Sequence, residues 1–306
     1  MMNNYDKLTL SMAFCLSAPA TWTASLLPSI FAALYCWKNS CPLSFPKSVL
    51  LVSTCVLMQS SVNTLNDYID FIKKTDTLSD NLEKNDAVLL YNNVNPVHVL
   101  YLGIFYLGIG GILGLIGSLP AYKAVLIGIA GALAVVNYSI GKTPISYLPI
   151  GEIVSGFVMG GLIPLAVSAV PDNSFHFEIL IKSLPFILGI GLIMLSNNTS
   201  DIEKDSLAHR NTFAAIIGRE KAKKIYKVFL IIWIAAIIFF SYGLLREKCI
   251  VSIIMMLILR KPFTVLLKSD LKPEDRINTM KNIGKANLFG NGTYIVSLLI
   301  AILIER

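Results

Sequence analysis

Charge is scarce in this chain, and that scarcity excludes most soluble folds. Only 15% of the 306 residues are Asp, Glu, Lys or Arg, where a soluble domain carries about 25%. Histidine is nearly missing: His98, His176 and His209 stand far apart, so no histidine metal site and no Ser-His-Asp arrangement is expected. There is no P-loop and no Gly-x-Gly-x-x-Gly. The cysteines (Cys15, Cys36, Cys41, Cys55, Cys249) show no Cys-x-x-Cys spacing, and most lie in apolar runs where a thiol behaves as a small hydrophobe. Neither a disulfide nor a thiolate metal site is expected.

What fills the chain is apolar sequence. Hydrophobic residues make up 55% and mean hydropathy is +0.66. A bilayer core takes roughly 20 apolar residues per helix. On that measure nine segments qualify, near 10–37, 46–66, 97–118, 121–140, 149–170, 179–199, 225–245, 249–267 and 286–304. The expectation is an all-α membrane protein, residues 1–306 forming a single transmembrane domain of about nine helices around a central cavity with cytoplasmic cap loops. The first apolar segment is too long for a signal-peptide core and is read as a retained span. With the N-terminus inside, the exterior keeps only Lys38, Lys47, Lys123, Lys182, Arg246, Lys248 and Arg306, leaving 19 of the 26 Lys and Arg residues on the cytoplasmic side. The net charge of +7 therefore reflects orientation in the membrane and implies no nucleic-acid partner. Oligomeric state is not encoded in any pattern found.

Two polar stretches interrupt this background. Asn63-Thr-Leu-Asn66-Asp67-Tyr-Ile-Asp70, running on through Lys73 and Lys74 to Asp76, ends one apolar segment. As a helix it places Asn63, Asp67 and Asp70 on one face at i, i+4 and i+7. Asn197-Asn198-Thr-Ser-Asp201-Ile-Glu203-Lys204-Asp205 ends another, with Asn197, Asp201 and Asp205 at i, i+4 and i+8. Gathered carboxylates repel unless a cation sits among them. A hard divalent ion such as Mg²⁺, taking oxygen ligands and leaving positions for a phosphate, suits such a set. Solvated helix-end carboxylates would explain one cluster; two of near-matching spacing, both cytoplasmic in the orientation above, point to a pair of metal sites facing one ligand. Lys73, Lys74, Lys142 and Arg210 lie near in sequence and suit phosphate oxygens, completing a diphosphate site. Three interior loops are long, at 67–96, 200–224 and 268–285, and the first two, which begin with the acidic clusters, fit short helices capping a cavity between the spans. Glycines at 103, 108, 110, 111, 114, 117, 156, 160 and 161 suit close helix packing, and Pro19, Pro28 and Pro164 suit kinks.

These motifs resemble a known family. Asn63–Asp70 with Asp76 resembles the first aspartate-rich motif of the UbiA superfamily of intramembrane prenyltransferases, and Asn197–Asp205 with Arg210, Thr212 and Gly218 resembles the second. Pro19 to Pro28 is similar to the family's first helix, and Tyr138-x-x-Gly-Lys142-x-Pro144-x-x-Tyr147-x-x-x-Gly151-Glu152 to its fourth-to-fifth connection. Within the superfamily the pattern looks most like the 1,4-dihydroxy-2-naphthoate polyprenyltransferases of menaquinone synthesis. That resemblance implies an Mg²⁺-dependent enzyme in a bacterial cell membrane, with a polyprenyl diphosphate donor, an aromatic acceptor and lipid around the donor's tail. It implies that Asn63, Asp67 and Asp70 hold one Mg²⁺ and Asn197, Asp201 and Asp205 another, that Lys142 and Arg210 join the aspartates in the chemistry, and that Asn66, Lys73, Lys74, Asp76, Tyr138, Tyr147, Glu152 and Asn198 contact substrate. The chain departs from the family at Ala18, where a basic residue is usual, at Lys74, where glycine is usual, and over 77–96, which lacks arginine. A different acceptor in the same superfamily would show at those positions. An ion-coupled transporter is the reading of another class; transporters favour midplane sites on broken helices.

Overall fold

The computed structural model describes residues 5–39, 43–75 and 87–305. Among them the chain is helical throughout, apart from an isolated parallel bridge between Asp6 and Val94. The helices are α1 (Leu10–Leu16), α2 (Thr23–Lys38), α3 (Phe45–Ile72), α4 (Val88–Tyr91), α5 (Pro96–Ser118), α6 (Tyr122–Ser139), α7 (Gly151–Phe157), α8 (Ile163–Ser168), α9 (Glu178–Lys182), α10 (Leu184–Ser200), α11 (Ile202–Leu207), α12 (Phe213–Ile217), α13 (Arg219–Leu245), α14 (Ile250–Ile258), α15 (Lys261–Lys268) and α16 (Arg276–Glu305). A π turn over Val158–Leu162 joins α7 to α8 as one span.

Local chemistry sets many of the ends. Pro46, Pro96 and Pro185 sit in first turns, where a missing N–H costs nothing. Asn95 caps α5 by accepting from the Val97 N–H. The first apolar segment breaks at Ala18, whose φ of 46° is left-handed, and α1 with the turn Pro19–Thr21 meets α2 at 64°. The freed Ser17 carbonyl accepts from Trp22 Nε1 and Asn63 Nδ2, so the break leaves it satisfied inside the bundle.

Among the described residues, six helices are long and apolar enough to cross a membrane, or seven if the bent pair is one span. The expected nine are not reached on that measure. Residues 179–199 form α9 and the 17-residue α10, which is too short, and the expected spans 225–245 and 249–267 overlap a single run, Arg219–Ile258, that counts once although Arg246 at φ 53° interrupts it. The count establishes a multi-pass integral membrane protein.

Packing follows the small residues. Along antiparallel α3 and α5, Gly103, Gly110, Gly114 and Gly117 face Leu65, Leu57, Thr54 and Leu50–Leu51. Gly160 is tighter: a Cβ there would lie 2.4 Å from the Ile187 nitrogen, so α10 crosses the π turn backbone against backbone. Phe31, Phe186 and Tyr294 pack their rings where α2, α10 and α16 meet. Buried polar groups tie the same helices: Asn287 Nδ2 donates to the Gly189 carbonyl and Trp233 Nε1 to Asn291.

Candidate active site

α3 is 28 residues long, about 42 Å at 1.5 Å per residue, so it outruns the apolar core of a bilayer. Its last three turns carry the first acidic motif, and α10 delivers the second motif at the same end of the bundle. The two meet through Arg210. Its guanidinium pairs with Asp70 and lies 3.9 Å from Asp205. Asp70, Asp201 and Asp205 are 5%, 8% and 3% exposed. Carboxylates so buried are not solvated helix ends, and each is costly without a positive partner.

The structure places the expected residues in three groups. Asn66, Asp70, Arg210 and Asp205 form a continuous bridge: Asn66 Nδ2 donates to Asp70 at 3.1 Å, Ser139 Oγ donates to Asn66, and Thr212 Oγ1 donates to Asp205 at 3.2 Å. Asn197 and Asp201 are gathered onto Arg276, whose Nε is 2.7 Å from Asp201 Oδ1 and whose Nη2 is 2.8 Å from Asn197 Oδ1. Asn198 turns the other way, donating at 2.9 Å to Glu152, which is also buried.

Other members of the first motif point elsewhere. Asn63 donates to the Ser17 carbonyl and to Thr21 Oγ1. Asp67 accepts from the Val88 N–H at 2.8 Å and the Leu89 N–H at 3.4 Å, holding α4 against α3. Asn63, Asp67 and Asp70 therefore diverge on α3. Among the described residues no group of three or more His, Cys, Asp or Glu side chains stands close enough to hold a metal ion. Asp76 lies outside the described residues.

Tyr147 links the cations of the two halves. Its ring has Lys73 Nζ at 4.7 Å and the Arg210 guanidinium at 4.9 Å, and its carbonyl accepts from the Asn211 N–H. Tyr138 is set deeper, its hydroxyl 3.9 Å from Met194 Sδ. Lys142 is exposed beyond α6 and makes no hydrogen bond or ion pair among the described residues. Lys74 is exposed with φ 53°, a conformation that favours glycine.

Two arginines were not singled out from the sequence. Arg276 is one of several cations near 260–285, where orientation in the membrane already explains positive charge. Arg219 opens α13, donates to the carbonyls of Thr199 and Leu271, and makes a paired contact with Glu203 at 2.6 and 2.7 Å. That contact holds the Glu203 carboxyl below its ordinary range. Neither position has a motif or a periodicity that marks it.

The donor set suits a hard divalent ion by its chemistry. Three buried carboxylates and the Asn197 amide oxygen gather on two guanidinium groups, so every candidate ligand is oxygen. Burial pushes the Asp205 carboxyl up to about 6 despite Arg210 beside it. Arg210 Nε is buried and has no hydrogen-bond partner among the described residues, a donor suited to an anionic oxygen. Below this cluster a cavity of about 390 Å³ runs between α2, α3, α5, α6 and α8, from Gln59 and Val62 beside Asn63 to Leu51 and Ser118. Its walls are almost wholly apolar, and a Cβ at Gly111, Gly128 or Gly131 would meet nothing within 4 Å.

Known proteins are similar to this chain in sequence and in fold. The chain is 29% identical over 211 residues to a 1,4-dihydroxy-2-naphthoate octaprenyltransferase of Bacillus subtilis (strain 168), a match covering 68% of this chain and 66% of that protein, just under two thirds of its length. It is 23% identical over 288 residues to the human UbiA prenyltransferase domain-containing protein 1, covering 92% and 82%. A UbiA homolog from Archaeoglobus fulgidus, solved with GPP and Mg²⁺, superposes with a TM-score of 0.64 at 16% identity, over 95% of this chain and 99% of that one. The apo UbiA homolog from Aeropyrum pernix K1 gives 0.62 at 13% identity, over 92% and 97%. The UbiA prenyltransferase family pattern itself matches residues 25–281, a stretch that holds both acidic motifs, the Tyr147 connection and Arg276. On that match the chain is a member of the UbiA prenyltransferase family.

Proposed function

We propose that the protein transfers a polyprenyl group from its diphosphate to an aromatic acceptor, with 1,4-dihydroxy-2-naphthoate the acceptor favoured by the Bacillus relative. The observation that carries this reading is the meeting of the two acidic motifs across Arg210 at the end of an apolar cavity. Diphosphate chemistry needs oxygen ligands and fixed cations at one place, and the isoprenoid needs a dry channel beside it.

On this reading Asn197, Asp201, Asp205 and Asp70 would hold Mg²⁺, which when bound would supply positive charge for the leaving diphosphate. Asp67 and Asn63 join only if they turn from their α4 and Thr21 contacts. Arg210 and Lys73, both on the Tyr147 face, bind diphosphate oxygens, and Arg210 Nε donates to one of them. The allylic carbon–oxygen bond breaks with its electron pair leaving on the diphosphate. The acceptor ring forms the new carbon–carbon bond and gives up a proton or, for dihydroxynaphthoate, CO₂. Glu152, fixed by Asn198, orients an acceptor hydroxyl. Tyr138 walls the allylic cation from water. Lys142 and Lys74 would reach the donor from the exposed segments that follow α6 and α3.

The same reading sets this end of the bundle toward the cytoplasm, where the basic loops place it, and takes α10 and a second crossing within Arg219–Ile258 as spans additional to the seven. The transporter reading is disfavoured, because the buried carboxylates sit at helix ends at one end of the bundle. The test is product analysis: purified protein with geranyl and longer prenyl diphosphates, Mg²⁺, and a panel of aromatic acceptors. Prenylated naphthoate is expected. Transfer to another ring alone would move the acceptor, and Mg²⁺-independent uptake of substrate into proteoliposomes without transfer would replace the reading.

A further inference from the structure

Arg276 opens α16 and reaches the end of α10, 75 residues earlier. Its Nε lies 2.7 and 3.0 Å from the two Asp201 oxygens, and its Nη2 lies 2.8 Å from Asn197 Oδ1. Both charged side chains are nearly buried, at 12% and 9% exposure. A single guanidinium thus gathers three oxygens from two residues of the second motif. Oxygens converging on one positive group have the donor chemistry of a hard-cation site, and here the positive group belongs to the chain itself.

We propose that Arg276 is a tethered cation that occupies the Asn197–Asp201 oxygens in the metal-free protein, and that a divalent ion binds there only by displacing its guanidinium. The inference rests on the reading above that these oxygens take a metal. The guanidinium already takes both Asp201 oxygens and the Asn197 oxygen, so a metal ion reaches them only in competition with it. Metal alone then binds more weakly than the oxygens by themselves would allow. A displaced guanidinium needs a new anion, and the donor's diphosphate supplies one within the same site. Metal and donor therefore bind better together than apart, which keeps the buried aspartate neutralised at every stage. Arg210 differs, because it spans Asp70 and Asp205 and still has an unpartnered donor for the diphosphate. Arg276 is a positioning residue by this account: it acts through Asp201 and Asn197.

The test uses the full chain in detergent and Mn²⁺ as the probe, with binding read from the loss of the free-ion paramagnetic resonance signal in the absence of donor. Thermal unfolding is followed in chelator and in Mg²⁺. Arg276→Gln is expected to bind Mn²⁺ about tenfold more tightly than the unaltered protein, with Arg276→Lys between them. Its Tm in chelator should fall, because Asp201 is left buried without a counter-charge, and metal should restore it. The metal-induced rise in Tm is then larger than in the unaltered protein. Lys272→Gln removes an exposed cation beside Asp270 and controls for general charge; it should bind Mn²⁺ as the unaltered protein does. Unchanged or weaker Mn²⁺ binding by Arg276→Gln, equal tightening in Lys272→Gln, or a loss of fold that metal does not restore would each overturn the inference. Asp201→Asn separates the two levels: if it leaves Mn²⁺ affinity intact, the metal reading of the second motif has failed as well.

Discussion

Asp70 and Arg210 stand 140 residues apart in sequence and are paired in the structure, with the Tyr147 ring under the guanidinium. This contact closes the gap between the two acidic motifs, since Arg210 also faces Asp205. A residue fixed on both motifs and carrying an unpartnered buried N–H is placed to take a share of the diphosphate.

Arg210→Gln is therefore expected to raise KM for the donor and lower kcat/KM by roughly 10- to 100-fold, the loss of a charge-assisted hydrogen bond of about 1.5–3 kcal/mol. Arg210→Lys should recover only part of this, because an ammonium neither forks between two carboxylates nor stacks flat on Tyr147. Steady-state kinetics with varied geranyl diphosphate reads the difference. Full activity in the lysine variant would show that charge alone matters there.

The Asp205 carboxyl sits at about 6 in the metal-free protein, raised from 3.8 chiefly by burial. The folded state therefore holds a proton that the unfolded chain has released between those values. Its stabilising effect is complete below 3.8 and is lost as pH rises through about 6, at most about 3 kcal/mol for a shift of this size. In chelator, Tm of the unaltered protein should fall across that window relative to Asp205→Asn. Metal binding runs the other way and should weaken as pH drops below about 6. Parallel Tm profiles for the two proteins would refute the assignment.

Gly111 and Gly128 line the apolar cavity where an added side chain meets open space. Gly111→Leu and Gly128→Leu should fold, since both replace glycine within a helix by a strong helix former. Each should lower the rate with long polyprenyl donors far more than with geranyl diphosphate. An equal loss across donor lengths would place the tail elsewhere.

Gly160→Ala tests the packing of the bundle. The new Cβ would stand 2.4 Å from the Ile187 nitrogen, so two backbones must separate. A loss of about 1–3 kcal/mol is expected, read as a lowered Tm in detergent. An unchanged Tm would mean that the π turn relaxes freely.

Much of this arrangement was legible in the chain. The acidic motifs were visible because carboxylates at the ends of apolar runs are conspicuous, and the short helices α11 and α12 fill the interior loop that follows the second one. Thr212 and Gly218, noticed through the family resemblance, have physical reasons here: Thr212 caps α12 and donates to Asp205, and Gly218 at φ 79° turns the chain into α13. Lys74 has φ 53°, a backbone conformation that favours glycine, the residue the family resemblance leads one to expect there. The directions of side chains were less legible. A helical wheel put Asn63, Asp67 and Asp70 on one face, yet an i, i+4, i+7 stripe is broad enough for three neighbours, Thr21, α4 and Arg210, to draw them apart. The number of spans was blurred by α10 and by Arg219–Ile258, where helix length and apolar length disagree. Arg276 and Arg219 gave no signal, because contacts across such separations have no period.

The most direct test of the account is the initial rate of diphosphate release from geranyl diphosphate with 1,4-dihydroxy-2-naphthoate, in Mg²⁺ and in chelator. It should be measured for the unaltered protein, Asp70→Asn and Asp201→Asn, each shown to be folded. The account predicts release that requires Mg²⁺ and falls by roughly 100-fold or more in both variants. Release that persists in chelator, or that survives both substitutions, would contradict it.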